Sequence, residues 1–242
     1  MSKNTVSKIS NAFSTGGGGV NFEQQVQAMF LLSLLVDGFC PAMNEQTKSV
    51  WFQAKMRYDV DDLAVFTYRG QAEGKLLCQI KHSITISETN QTFQEVITAA
   101  WSDFQKDDFD RDNDRIALVT AQIAYKSQQA LRFLHAQAEA SGDEKQFADR
   151  VYHTNSSNDD NKKALEAIAS CIEKANDGKP TDLELWKFCK CFKLLLFDVD
   201  CKESINRALS ISLIKCNSAE KQILYGPDWW NMLVTVTRQQ QI

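Results

Sequence analysis

The sequence predicts an α/β fold with a central mixed sheet of about four strands flanked by helices, and three observations carry that prediction. Between Asp59 and Ser83 two runs of period-two apolar character, Leu63/Val65 and Leu76/Cys78/Ile80, flank a segment from Arg69 to Gly74 whose two glycines suit a turn, so this stretch reads as a β-hairpin. Downstream, Phe93, Val96, Ile97, Ala100, Trp101 and Phe104 fall on one stripe of a helix. Ile116 to Val119 then forms the short continuous apolar run of a central strand. A strand pair, a helix and a further buried strand belong to a layered α/β core.

Taken in order, residues 1–15 are polar and end at four glycines, so they read as a flexible leader. Val20-Asn21 follows where a phosphate-binding loop needs Lys-Ser/Thr, which leaves the glycines as a lead-in to a helix from about Asn21, its candidate N-cap, to Val36. Phe22, Val26, Met29, Phe30 and Leu34 give that helix an apolar face, with Glu23 at its border. Val50, Phe52, Ala54 and Met56 alternate with Trp51, Gln53, Lys55 and Arg57, which predicts a strand ahead of the hairpin. Its polar face offers Lys55 and Arg57 as phosphate contacts, against the more common reading of a solvated face. Ser87 or Thr89 caps the second helix, which runs to about Lys106. The five aspartates between Asp107 and Asp114 lack the glycine and terminal glutamate of a calcium loop and read as a solvated loop.

From Tyr125 the pattern turns helical, over about 125–140 and 143–152, then 161–175, 181–191, 204–215 and 229–237. The polar stretch Asn155 to Asn161 marks the candidate boundary between a core of residues 16–154 and a mainly helical extension of residues 155–242. For Phe192 to Val199 periodicity does not decide between strand and helix end. The chain stops soon after the apolar Trp229-Trp230, which predicts that the natural protein continues into a further domain.

Composition excludes several classes. In 242 residues, 43% hydrophobic and 24% charged are the proportions of an ordinary globular protein. No run approaches a membrane-spanning length and the N-terminus has no signal-peptide core, which predicts a cytoplasmic protein without membrane contact. Seven scattered cysteines lack zinc-site spacing and read as reduced, mostly buried thiols. A net charge of −4 argues against coating a polyanion through bulk charge.

The chemistry concentrates in the hairpin. Gln79 and Lys81, at i and i+2, share one face of its second strand, and antiparallel pairing brings them toward Asp61 and Asp62 at the start of the first. Mg²⁺, with Mn²⁺ as a substitute, takes oxygen ligands: Asp62 or Asp61 supplies a carboxylate, and the Gln79 side-chain carbonyl or the Ile80 backbone carbonyl a second oxygen. Lys81 is placed to orient or deprotonate a water attacking a phosphodiester and to stabilise the transition state. Adjacent strand residues point opposite ways, so both aspartates stay candidates.

This Asp…Gln-Ile-Lys pattern, with Gln79 placed 17 positions after Asp62, resembles the Asp…(Glu/Gln)-x-Lys signature of the PD-(D/E)XK nuclease superfamily in its Mrr-like form. Upstream, Gly-Gly-Gly-Gly-Val-Asn-Phe-Glu-Gln-Gln-Val (16–26) is similar to the opening helix of these nucleases, whose glutamate, here Glu23, can join the metal site. Downstream, Asp114 to Ala121 resembles the next core strand. The likeness covers roughly residues 15–125 and is greatest to nuclease domains of bacterial antiphage systems, the CBASS endonuclease effector and the N-terminal nuclease of Avs-type STAND ATPases. It implies a Mg²⁺-dependent DNA endonuclease of low sequence preference. It also implies DNA as partner, with Lys55 and Arg57 as contacts and His82, which alternation turns away from Gln79 and Lys81, in a structural or a DNA-contacting role, and a homo-oligomer, dimer or higher, driven by an attached sensor or ATPase domain. The competing reading is a nuclease-like fold that serves as a DNA-binding or assembly module without catalysis; the intact Asp/Gln/Lys set favours the enzyme.

Overall fold

A computed structural model of the chain describes residues 17–239 except 154, 156, 177, 200, 202 and 218–225, so the expected leader lies outside the described residues. The elements run α1 (Gly17–Leu35), β1 (Phe39–Cys40), β2 (Glu45–Phe52), β3 (Leu63–Arg69), β4 (Ala72–Ile84), α2 (Gln91–Gln105), β5 (Arg115–Ile123), α3 (Tyr125–Ala140), α4 (Glu144–Tyr152), α5 (Asp159–Asn176), α6 (Asp182–Cys191), β6 (Phe192–Leu196), α7 (Ile205–Asn217) and α8 (Gly226–Gln239). The fold is α/β with one mixed sheet, as expected, but the sheet has six strands rather than four. Their order is β1-β2-β3-β4-β5-β6, antiparallel as far as β4 and parallel from β4 to β6. The additions are the two-residue β1 and, from within the expected helical extension, β6.

The hairpin is β3–β4, paired from Leu63↔Cys78 to Arg69↔Ala72, which leaves Gly70 and Gln71 as a two-residue turn. Gly70 sits at φ 65, and a Cβ built there would meet nothing within 4 Å. Its requirement for glycine is therefore purely conformational. Gly70→Ala is expected to cost about 1 kcal/mol, read as a lower urea midpoint with an unchanged slope.

Strand alternation splits the core into two layers. Leu63, Val65, Leu76, Cys78, Ile80, Ala117 and Val119 pack with Phe22, Val26 and Phe30 of α1, Ile214 of α7 and Trp230, Leu233 and Val234 of α8. Ala64, Leu77, Ile116 and Leu118 face α2 to α6, where the predicted stripe of α2 is buried from Phe93 to Phe104. Asn90, rather than Ser87 or Thr89, caps α2, its side-chain oxygen accepting from the Phe93 N–H at 2.9 Å. Asn21 lies within α1, not before it, and its side chain accepts from Gln25.

Two further expectations are corrected. The strand before the hairpin ends at Phe52, because Gln53 adopts φ 51 and breaks the alternation, so Lys55 and Arg57 stand in a turn instead of on a strand face. The aspartate loop is not wholly solvated: Asp114 is 4% exposed, accepting from the backbone N–H of Lys75 and of Asp110 and pairing with the Lys75 Nζ at 3.1 Å. Cys40, Cys78, Cys171, Cys189 and Cys191 are buried thiols, while Cys201 and Cys216 are exposed. No helix among the described residues is long and apolar enough to cross a membrane.

Candidate functional site

β4 is longer than β3, and past the last β3–β4 pair, Leu63↔Cys78, its edge runs on beside the residue that precedes β3. That residue is Asp62. Its Oδ2 takes the place of a missing strand partner, accepting from the Ile80 N–H at 2.6 Å and from the Gln79 Nε2 at 2.6 Å. Lys81 Nζ stands 3.9 Å from the same oxygen, with its side chain 32% exposed against 13% for Asp62. The overhang of one strand thus gathers an acid, an amide and a lysine at one sheet edge. Asp62, not Asp61, makes these contacts; the Asp61 backbone carbonyl accepts from the Ala54 N–H at 2.7 Å.

Glu23, on α1, completes the group. Its Oε1 accepts from the Gln27 Nε2 at 2.9 Å and from the Gln53 Nε2 at 2.7 Å, and Gln27 also donates to the Asp62 backbone carbonyl at 3.1 Å. Burial, then the charge of Asp62, push the Glu23 carboxyl up to about 7, against the pull of Lys81 and of the Gln53 amide. Burial likewise raises Asp62, opposed by Lys81 and the Ile80 N–H. The site holds two partly desolvated carboxylates that repel one another, with Asp61 adding to the repulsion on both.

That electrostatic state has a sign. Folded Glu23 holds its proton more tightly than an unfolded glutamate of 4.5, so its contribution to stability falls as pH rises from about 4.5 to about 7. Glu23→Gln keeps an oxygen for both amides and removes the charge. It is expected to stabilise the protein by about 1 kcal/mol at pH 8 and to change little at pH 4.5, while weakening cation binding; thermal unfolding at the two pH values checks it.

Among the described residues no three His, Cys, Asp or Glu side chains converge as a metal-holding set. The donors present still fit Mg²⁺, which takes one or two carboxylates and completes its shell with water and substrate phosphate. Glu23 and Asp62 would be the carboxylates, both raised first by burial, Glu23 also by the charge of Asp62, and a dication between them would offset both effects. Gln79 turns its nitrogen to Asp62 here, so its carbonyl and that of Ile80 are the further oxygens within the same strand.

The remaining expected residues lie elsewhere or contribute differently. Arg57 turns to Asp108 at 3.4 Å and lies over the Tyr58 ring, while Lys55 is exposed in the same turn. His82 packs edge-on against Phe22, ring centroids 5.4 Å apart, on the α1 side of β4. Sequence reasoning missed Gln27 and Gln53. Gln27 was detectable, because i, i+4 from Glu23 on a helix puts the two side chains together; Gln53 carried no such signal, since nothing marks a glutamine for a left-handed conformation.

No family model matches the chain, and no curated protein matches it. Among solved structures it is similar to an Acinetobacter baumannii Cap4 SAVED/CARF-domain containing receptor with the cyclic trinucleotide 3'3'3'-cAAA, at 11% identity and TM-score 0.49 over 92% of this chain and 43% of that one. The same receptor with 2'3'3'-cAAA matches at 11% and 0.49, covering 92% and 41%. A Moraxella osloensis Cap4 SAVED/CARF-domain containing receptor matches at 13% and 0.44, covering 93% and 44%. The chain spans less than half the length of these structures. They are described as receptors, two of them with cyclic trinucleotides, and none as a nuclease or with DNA. The identification with the PD-(D/E)XK nucleases, the DNA endonuclease function and DNA as partner are corrected accordingly: a motif of three residues on a hairpin is too short to fix a family or a polymer substrate.

Proposed function

We propose that the Glu23/Asp62/Gln79/Lys81 edge is a divalent-cation-dependent centre for hydrolysing a phosphodiester. The observation that supports it most is the double acceptance by Asp62 Oδ2 from Gln79 and Ile80, which holds a half-buried carboxylate rigidly 3.9 Å from Lys81 Nζ. A bound Mg²⁺ supplies charge neutralisation at the phosphoryl oxygens and acidifies a water. Asp62 and Glu23 hold it there, with the Gln79 or Ile80 carbonyl as a further oxygen. Lys81 orients the attacking water and donates to the phosphoryl group as negative charge builds on it. The half-exposed Lys81 leaves this edge open to a substrate from solvent.

The test is hydrolysis of bis(4-nitrophenyl) phosphate with Mg²⁺ or Mn²⁺ and with EDTA. Release of nitrophenol that needs the cation and is lost in Asp62→Asn supports the reading; none with either cation overturns it. A cyclic trinucleotide and a linear oligonucleotide, both phosphodiesters, form the arms that define the substrate class.

A further inference from the structure

We propose that Gln53 is a positioning residue for this centre, holding the Glu23 carboxylate toward Asp62 and Lys81; this rests on the cation-dependent reading of the site. Gln53 follows the last residue of β2, and its backbone N–H still reaches the Asp62 carbonyl at 3.4 Å. An extended residue here would project its side chain to the same face of the sheet as Trp51. At φ 51 it leaves that alternation, and its amide donates to Glu23 Oε1 at 2.7 Å. The left-handed region is unfavourable for a residue with a Cβ, and such a conformation persists only where the surroundings hold it.

What holds it is the site. The Asp62 carbonyl accepts from the Gln53 backbone N–H and the Gln27 Nε2, and the side-chain amides of Gln27 and Gln53 converge on the same Glu23 oxygen. α1, the end of β2 and the start of β3 are thereby tied into one unit around the two carboxylates. An exposed glutamine with a strained backbone adds little to the core, so its side chain acts through Glu23. Groups that orient metal-binding carboxylates set the affinity of the site as their ligands do.

Gln53→Gly separates the two roles, because glycine relieves the backbone while deleting the amide. The expected result is an unfolding midpoint equal to or above that of wild type, together with Mn²⁺ affinity about tenfold lower by calorimetric titration. Wild-type Mn²⁺ affinity in Gln53→Gly overturns the role of Gln53 and leaves the cation centre standing. Wild type binding Mn²⁺ no better than Asp62→Asn overturns the centre itself, and the positioning role with it.

Discussion

Lys81→Met is expected to lower cation-dependent phosphodiester hydrolysis by about 10²-fold or more, while leaving Mn²⁺ affinity equal to or slightly above that of wild type at a pH high enough to ionise both carboxyls. The two readouts part because Lys81 carries no metal-binding lone pair in its charged form, yet stands 3.9 Å from Asp62 Oδ2, close to where charge would build on a phosphoryl group held by a cation that this carboxylate ligates. Its charge opposes proton uptake by both Glu23 and Asp62, so removing it raises both carboxyls further. Cation binding in the variant should therefore need a higher pH than in wild type. Stability should shift by less than about 1 kcal/mol, since methionine keeps the stem and the lost ion pair is long and half-exposed. A wild-type rate in this variant would remove Lys81 from the mechanism.

How much of this was legible depends on what kind of signal each element carries. The hairpin was readable because period-two apolar runs and a turn glycine, Gly70, are local, although the turn is shorter than the expected Arg69–Gly74 segment and Gly74 pairs within β4; the antiparallel register then follows from turn length. The convergence of Asp62, Gln79 and Lys81 was readable for the same reason: once Leu63 pairs with Cys78, the next residue outward meets the next along β4. Glu23 was placed at a border that could face the hairpin, and α1 brings it there. What escaped was non-local or conformational. β6 is a strand because β5 offers it a parallel edge from Ile116↔Phe192 to Thr120↔Leu196, information absent from Phe-Lys-Leu-Leu-Leu itself. The left-handed turn at Gln53 moved Lys55 and Arg57 off a strand face and brought an amide into the site. The family resemblance reached beyond its residues: the chemistry of a carboxylate, an amide and a lysine is written in the hairpin, while the identity of a substrate is written in surfaces that a short motif does not describe.

Asp62 is the residue on which structure and chemistry overlap, and two substitutions at it are expected to pull them apart. Asp62→Asn keeps an oxygen for the Ile80 N–H and leaves the Gln79 amide free to turn over, so the hairpin edge stays closed. Asp62→Ala strands the Ile80 N–H and the Gln79 amide, both in a half-buried setting, at a cost of about 1–3 kcal/mol. Both variants remove the carboxylate, and since losing a group that merely orients a ligand weakens metal binding about 10–100-fold, losing the ligand itself should weaken it by at least about 100-fold. Hydrolysis should fall to background in each. The pattern to look for is thus equal loss of Mn²⁺ binding and hydrolysis, with destabilisation in the alanine variant only, read by calorimetric titration and urea unfolding on the same preparations. Asp62→Asn also removes one of the two repelling carboxylates, so Glu23, raised partly by Asp62, should titrate closer to an ordinary glutamate in it. If Asp62→Asn folds as wild type and binds Mn²⁺ as tightly, the carboxylate serves only to close the end of a strand, and the cation-dependent centre falls.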